Sequence, residues 1–264
     1  MKKPRGLLSG ALLLSAAAIA AKVISALYRI PLTNILGAEG MGLYQLVFPI
    51  YAVLLTLSSG GIPISMSRLI AEKRALGESA SGILKAGALI VFVSSLLSAA
   101  AIFALSNFLA AAQGNGEAAE IYKAIAPAVF FASGIAFFKG WAQGNMDMVP
   151  SSLALLVEQA AKLAAGLALA SYLLPRGISY AVSGAVFGIV IAEAAAFIVT
   201  AITVAVRHRA PKDLAPAFVM PRERLKKEHI KLVVKTASLI TIGTLLIPFS
   251  QFIDSFLIIN LLKS

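Results

Sequence analysis

Five ionisable side chains fall inside otherwise apolar stretches: Lys22, Glu158, Lys162, Glu193 and Asp254. A charged group at the centre of a bilayer costs at least ~2.5 kcal/mol on insertion scales, so such residues face a cavity or a partner. Ser15, Lys22, Ser25 and Arg29 follow one another at i, i+7, i+10 and i+14. That spacing lays a polar, cationic stripe along one face of a helix. Arg29 precedes Pro31, where the first helix is expected to end, and a cation there would meet the negative end of the helix dipole. Two chemistries suit it: anion binding, or snorkelling to the interface.

Glu158 and Lys162 are four apart with the acid first, which predicts an intramembrane ion pair. Glu193 has no partner within a turn, so it must meet Lys22 or another cation across the bundle, or carry a proton. Asp254 follows Pro248 in the polar run Ser250-Gln251-Phe252-Ile253-Asp254-Ser255, which suits a cavity wall or a cation site. In Ser58-Ser59-Gly60-Gly61-Ile62-Pro63 the proline removes a backbone donor and the glycines relax the helix, so Gly60, Gly61 and Pro63 are expected to form a hinge. Broken helices at membrane depth are tolerated where protein or a wet cavity covers them. Arg68 falls near the end of the same stretch, as an interfacial anchor or part of a basic entrance.

Positioning these groups requires spanning elements. The chain has 264 residues, 59% hydrophobic and 13% charged, with a mean hydropathy of +0.89. Soluble domains carry roughly 45–50% apolar and about 25% charged residues. Seven apolar blocks can be bounded, at 7–30, 43–70, 84–110, 121–142, 150–174, 178–206 and 232–262. Each is long enough to cross a hydrocarbon layer of roughly 30 Å as a helix. Without period-two alternation, helices are favoured over a barrel, and the fold class is all-α: a polytopic transmembrane bundle.

Counting the Lys and Arg that fall outside the bilayer, those near the block ends included, gives seventeen on the side of the N-terminus and four on the other. The positive-inside rule then places the N-terminus in the cytoplasm, with the chain crossing the membrane several times. Met1 to Ala21 resembles a secretory signal, but the apolar block continues to Ile30, which favours an uncleaved first helix. The formal charge of +11 sits between apolar blocks, which indicates anionic lipid rather than nucleic acid as its partner. Cysteine is absent from the sequence, which excludes disulfides and a thiol nucleophile. The two histidines, His208 and His229, lack metal-ligand spacing, and neither a phosphate loop nor a Gly-x-Ser-x-Gly elbow is present, so the chain is not read as an enzyme.

Three regions follow: a six-helix lobe over 1–206, a basic connector over 207–231, and the first helix of a second lobe over 232–264. The connector run from Pro221 to His229 suits a surface helix against acidic head groups, or a plain positive-inside anchor.

The run from Tyr28 through Gln45, with Pro49-Ile50-Tyr51 and Ser59-Gly60-Gly61-Ile62-Pro63, resembles the stage V sporulation protein B-like polysaccharide transporters. These belong to the multidrug/oligosaccharidyl-lipid/polysaccharide (MOP) flippase superfamily. Ile240 to Gly243, Pro248 and Asp254 resemble the opening of that family's second lobe. The resemblance implies a V-shaped bundle of about fourteen helices that moves a lipid-linked sugar diphosphate for cell-wall or polysaccharide synthesis by alternating access. It implies no cofactor beyond a coupling ion, H+ or Na+. It also implies a basic cavity in the region of Lys22, Arg29 and Arg68, matched by region rather than residue for residue. Seven spans would be an incomplete chain whose missing partner is a second lobe or, less in keeping with the pattern, another copy. Two further readings remain open: a cation-coupled multidrug exporter dependent on Glu193 and Asp254, and a membrane scaffold in envelope or spore assembly.

Overall fold

The computed structural model describes residues 5–207 and 224–263, with side-chain surroundings for 8–207 and 224–255. His208 and most of the connector, including Pro221 to Glu223, lie outside the described residues. Nearly everything described is helical: α1 (Arg5–Leu46), α2 (Phe48–Ser59), α3 (Ile62–Ala75), α4 (Ser81–Ala112), α5 (Ala118–Gly144), α6 (Val149–Ala161), a π-helical turn (Lys162–Gly166), α7 (Leu167–Leu173), α8 (Ile178–Arg207) and α9 (Lys227–Lys263). Six continuous stretches are long and apolar enough to cross a membrane, and the first, Leu8–Ala75, has 68 residues. At a rise of 1.5 Å per residue that is about 100 Å, far more than one crossing of a ~30 Å layer needs. The stretch doubles back, so it contributes two of seven crossings.

The reversal begins at Gly37, whose φ of 64° and ψ of −170° break α1. That conformation is open to glycine and strained for a side chain. The helix was expected to stop before Pro31; instead it runs through Pro31 to Gly37. A proline removes one amide and crowds the preceding turn. Lipid offers no alternative partners for the freed backbone, so the helix holds; two residues on, the Thr33 hydroxyl donates to the Arg29 carbonyl at 2.9 Å. Arg29 therefore sits within the helix, not at its dipole end.

Around Gly60, Gly61 and Pro63 the helix is interrupted. α2 ends at Ser59 and α3 starts at Ile62, and hydroxyls satisfy the groups the break exposes. Ser94 Oγ donates to the Ser58 carbonyl at 2.8 Å, Ser58 and Ser133 share a hydrogen bond of 2.8 Å, and the Gly61 amide donates to Thr241 Oγ1 of α9 at 3.0 Å.

Two ends of the bundle can be told apart. At one, the basic end, Arg74 Nη1 donates to Asn145 Oδ1 at 2.6 Å, and Arg207 forms two bonds with Asp147, of 2.7 and 3.2 Å. At the other, the buried Gln113 donates to the Leu46 carbonyl at 3.2 Å and to Ser255 Oγ at 3.4 Å, and accepts from Tyr122 at 2.6 Å.

The exterior is apolar, as lipid permits and water does not. Small residues are buried on α5 and α8, among them Ala126, Ala128, Ser133, Ala181, Ala185, Ala192 and Ala196, while Leu12, Phe92, Phe103, Phe108 and Leu246 are exposed. Lipid tails are as apolar as leucine, so helices associate by close packing of small residues and leave the large ones to the bilayer. α9 joins that packing through Val233 and Ala237, which share a core with Ile62, Met66 and Ile83.

Candidate functional site: a basic cavity beside a charged helix pair

A cavity of about 430 Å³ opens among α1, the start of α2, the π-turn and α9. α1 supplies Ser25, Tyr28 and Arg29 from one stripe; the segment after Gly37 supplies Tyr44 and Gln45; α2 adds Phe48, the π-turn Lys162, and α9 Gln251. Two cations thus line the same hollow, and none of its lining residues is acidic. Tyr44 and Phe48 pack with ring centroids 4.9 Å apart, and Phe48 meets Tyr51 edge-on at 6.3 Å. The lining thus combines aromatic rings with two cations.

Lys162 reaches the cavity because of its local backbone. Its ammonium lies 5.6 Å from the centroid of the Tyr28 ring, within cation–π range. The π-turn that begins there ends on Gly166, where a side chain would strike the Tyr28 ring and hydroxyl, at 2.8–3.2 Å. Behind it, Gly188 of α8 lies against the Gly166 backbone itself. Gly184 and Gly188 form a small-x-x-x-small pair, the arrangement that lets membrane helices approach closely. π-turns inside α-helices cluster at functional sites. The buried Tyr28 hydroxyl has no hydrogen-bond partner of normal geometry, although Tyr44 lies within its electrostatic reach.

The structure separates the residues singled out in the sequence. Ser25 and Arg29 line the cavity. Lys22, on the same stripe nearer the basic end, is exposed and outside the lining, and so is Arg68. Asp254 is exposed on α9, and Gln251, one turn earlier, takes the place in the wall that the polar run suggested for it. Glu193 is buried, 9% exposed, and the cations within its electrostatic reach are Lys139 and Lys162, not Lys22.

The expected Glu158–Lys162 ion pair is not made as a contact: no salt bridge joins them among the described residues. Glu158 Oε1 instead accepts from Gln159 Nε2 at 2.8 Å, and the lysine head group turns to the Tyr28 ring. The two charges still act on each other electrostatically. Tyr28, Tyr44, Gln45 and Gln251 were missed as site residues, yet the first three belong to the run that carries the family resemblance.

Fold and cavity together define a multi-pass α-helical membrane protein with a basic cavity within its bundle. The chain belongs to the polysaccharide biosynthesis protein family, whose sequence profile matches residues 7–264. Among curated relatives, all from Bacillus subtilis (strain 168), it is 30% identical over 176 residues to the uncharacterized membrane protein YabM, covering 67% of this chain and 33% of that one. It is 28% identical over 195 residues to stage V sporulation protein B, covering 72% and 38%. With lipid II flippase MurJ it shares 24% over 169 residues, covering 60% and 31%. The matched stretch thus spans about a third of the length of these relatives. Among solved structures, a MOP superfamily transporter from Pyrococcus furiosus superposes with a TM-score of 0.69 at 16% identity, over 96% of this chain and 57% of that one. An outward-facing multidrug resistance MATE family transporter gives 0.70 at 17% identity, over 96% and 57%. The fold is that of the MOP superfamily.

Proposed function

We propose that this chain forms the substrate-binding lobe of a flippase that carries a lipid-linked sugar diphosphate, a cell-wall or polysaccharide precursor, across the bacterial plasma membrane by alternating access, with the N-terminus in the cytoplasm. One observation carries the reading: Arg29 and Lys162 line the same cavity, with no acid in the lining. Each cation costs at least ~2.5 kcal/mol to place in a bilayer. A diphosphate offers both of them charge-assisted hydrogen bonds in a low dielectric, and Tyr44 and Phe48 present faces against which sugar rings can pack. A relative named as a lipid II flippase and a family named for polysaccharide biosynthesis agree with that substrate class. A cationic drug would meet repulsion in the same place, which weighs against the exporter reading.

The test is binding of an undecaprenyl-diphosphate-linked sugar to the purified chain in detergent. Arg29→Ala and Lys162→Met should each weaken binding at least tenfold, and Arg68→Ala should leave it within about twofold, a charge-assisted contact being worth ~1.5–3 kcal/mol. Equal affinity in all three variants removes the cavity from the account.

A further inference from the structure

Two carboxamides line the cavity from different elements, Gln45 near the end of α1 and Gln251 on α9. Both are exposed, and among the described residues neither side chain makes a hydrogen bond. A third amide holds their backbones together. The buried Gln113 donates from a single nitrogen to the carbonyl of Leu46, next to Gln45, at 3.2 Å and to Ser255 Oγ, one turn beyond Gln251, at 3.4 Å. Its carbonyl accepts from the Tyr122 hydroxyl at 2.6 Å, which fixes the way round the amide is held. Two uncommitted amides are thus brought to one hollow, on helices clamped by a committed one.

The cavity therefore carries two kinds of polar group. Arg29 and Lys162 only donate, which suits the oxygens of a diphosphate. A carboxamide donates and accepts, and a diphosphate esterified at both ends has no proton to give the acceptor. The hydroxyl groups of a sugar donate and accept at once, so they satisfy both halves of each amide. The cavity's volume of about 430 Å³ falls within the range, roughly 300–1,000 Å³, of sites that enclose a whole small ligand, and it exceeds what two phosphoryl groups occupy. Tyr44 and Phe48, with ring centroids 4.9 Å apart, share the lining with Gln45 and give the C–H face of a sugar an apolar surface to rest on.

We propose that Gln45 and Gln251 form a sugar-reading subsite: their amides hydrogen-bond the polar groups of the sugar esterified to the diphosphate, while its C–H face lies against Tyr44 and Phe48. The inference rests on reading the cavity as a lipid-diphosphate site. Its consequence is a division of labour in which the cations hold the diphosphate and the amides distinguish what is attached to it, with the sugar bridging α1 and α9.

The probes are undecaprenyl diphosphate esters of equal charge, one carrying methyl and the others N-acetylglucosamine or galactose, bound to the whole chain in detergent. The unaltered chain should bind at least one sugar ester about tenfold or more tightly than the methyl ester. Gln45→Met and Gln251→Met should each cut that preference about fivefold and leave affinity for the methyl ester within about twofold, as expected for the loss of one or two neutral hydrogen bonds. Neither side chain is bonded within the chain, so both variants should keep the unfolding midpoint of the unaltered protein, and either one alone decides the matter. A preference that is missing from the unaltered chain, or that survives in the variants, overturns the sugar subsite and leaves the anion site standing. Equal weakening of all the esters overturns it too, by assigning the amides to the diphosphate. Failure of the unaltered chain to bind any ester overturns the lipid-diphosphate reading and the inference with it.

Discussion

The amide of Gly61 donates to the hydroxyl of Thr241 at 3.0 Å, across a sequence separation of 180 residues. A helix break inside a bilayer leaves backbone groups that lipid cannot satisfy, and here the missing partner comes from α9. The approach is possible because Gly61 has no side chain: a Cβ there would run into the Ala237 carbonyl and lie 2.7 Å from Thr241 Oγ1.

Thr241→Val keeps the shape and removes the acceptor. It should destabilise the folded chain by about 1–2 kcal/mol, and Thr241→Ser should restore most of the loss. The midpoint of unfolding in mixed detergent measures both, and equal midpoints for valine and serine would show that the bond contributes nothing.

Gly188→Val should be more damaging, because the valine would meet the backbone of Gly166 rather than a side chain that can move. Overpacking of this kind costs about 1–3 kcal/mol. The variant should also displace Tyr28 and Lys162, so pyrophosphate affinity should fall together with stability. Loss of stability alone would separate the π-turn from the cavity.

The absence of cysteine makes topology directly measurable. Ser79 lies in the connection between α3 and α4, at the basic end, and Asn115 in the one between α4 and α5, at the other. In intact cells a membrane-impermeant maleimide should label Asn115→Cys and spare Ser79→Cys until the membrane is opened. The reverse pattern places the N-terminus outside.

Much of this architecture could be read before the coordinates. Long apolar crossings follow from block length alone, and the helix break at Gly60 and Gly61 from residue chemistry, since both properties are local. The cavity was half legible. The run that carries the family resemblance supplies Tyr28, Arg29, Tyr44 and Gln45 to its wall, but the spacing that joins Lys22 to Arg29 could not say where along the stripe the hollow begins. Helical spacing likewise predicted a contact between Glu158 and Lys162. The outcome depends on Tyr28, far away in sequence, and on a π-turn whose last residue, Gly166, packs against Gly188 of α8, a tertiary contact. Pro31 misled for a related reason: its helix-ending tendency is a balance struck in water, where released carbonyls find partners.

α9 is fastened to the rest of the bundle at two levels by neutral polar groups, Thr241 to the hinge and Ser255 to Gln113 at the far end. Neutral bonds of this sort are each worth only about 1 kcal/mol, under two multiples of thermal energy. Most of the hold on α9 therefore comes from the close fit of Val233 and Ala237 against Ile62, Met66 and Ile83, and the two polar ties set the register in which that fit is made.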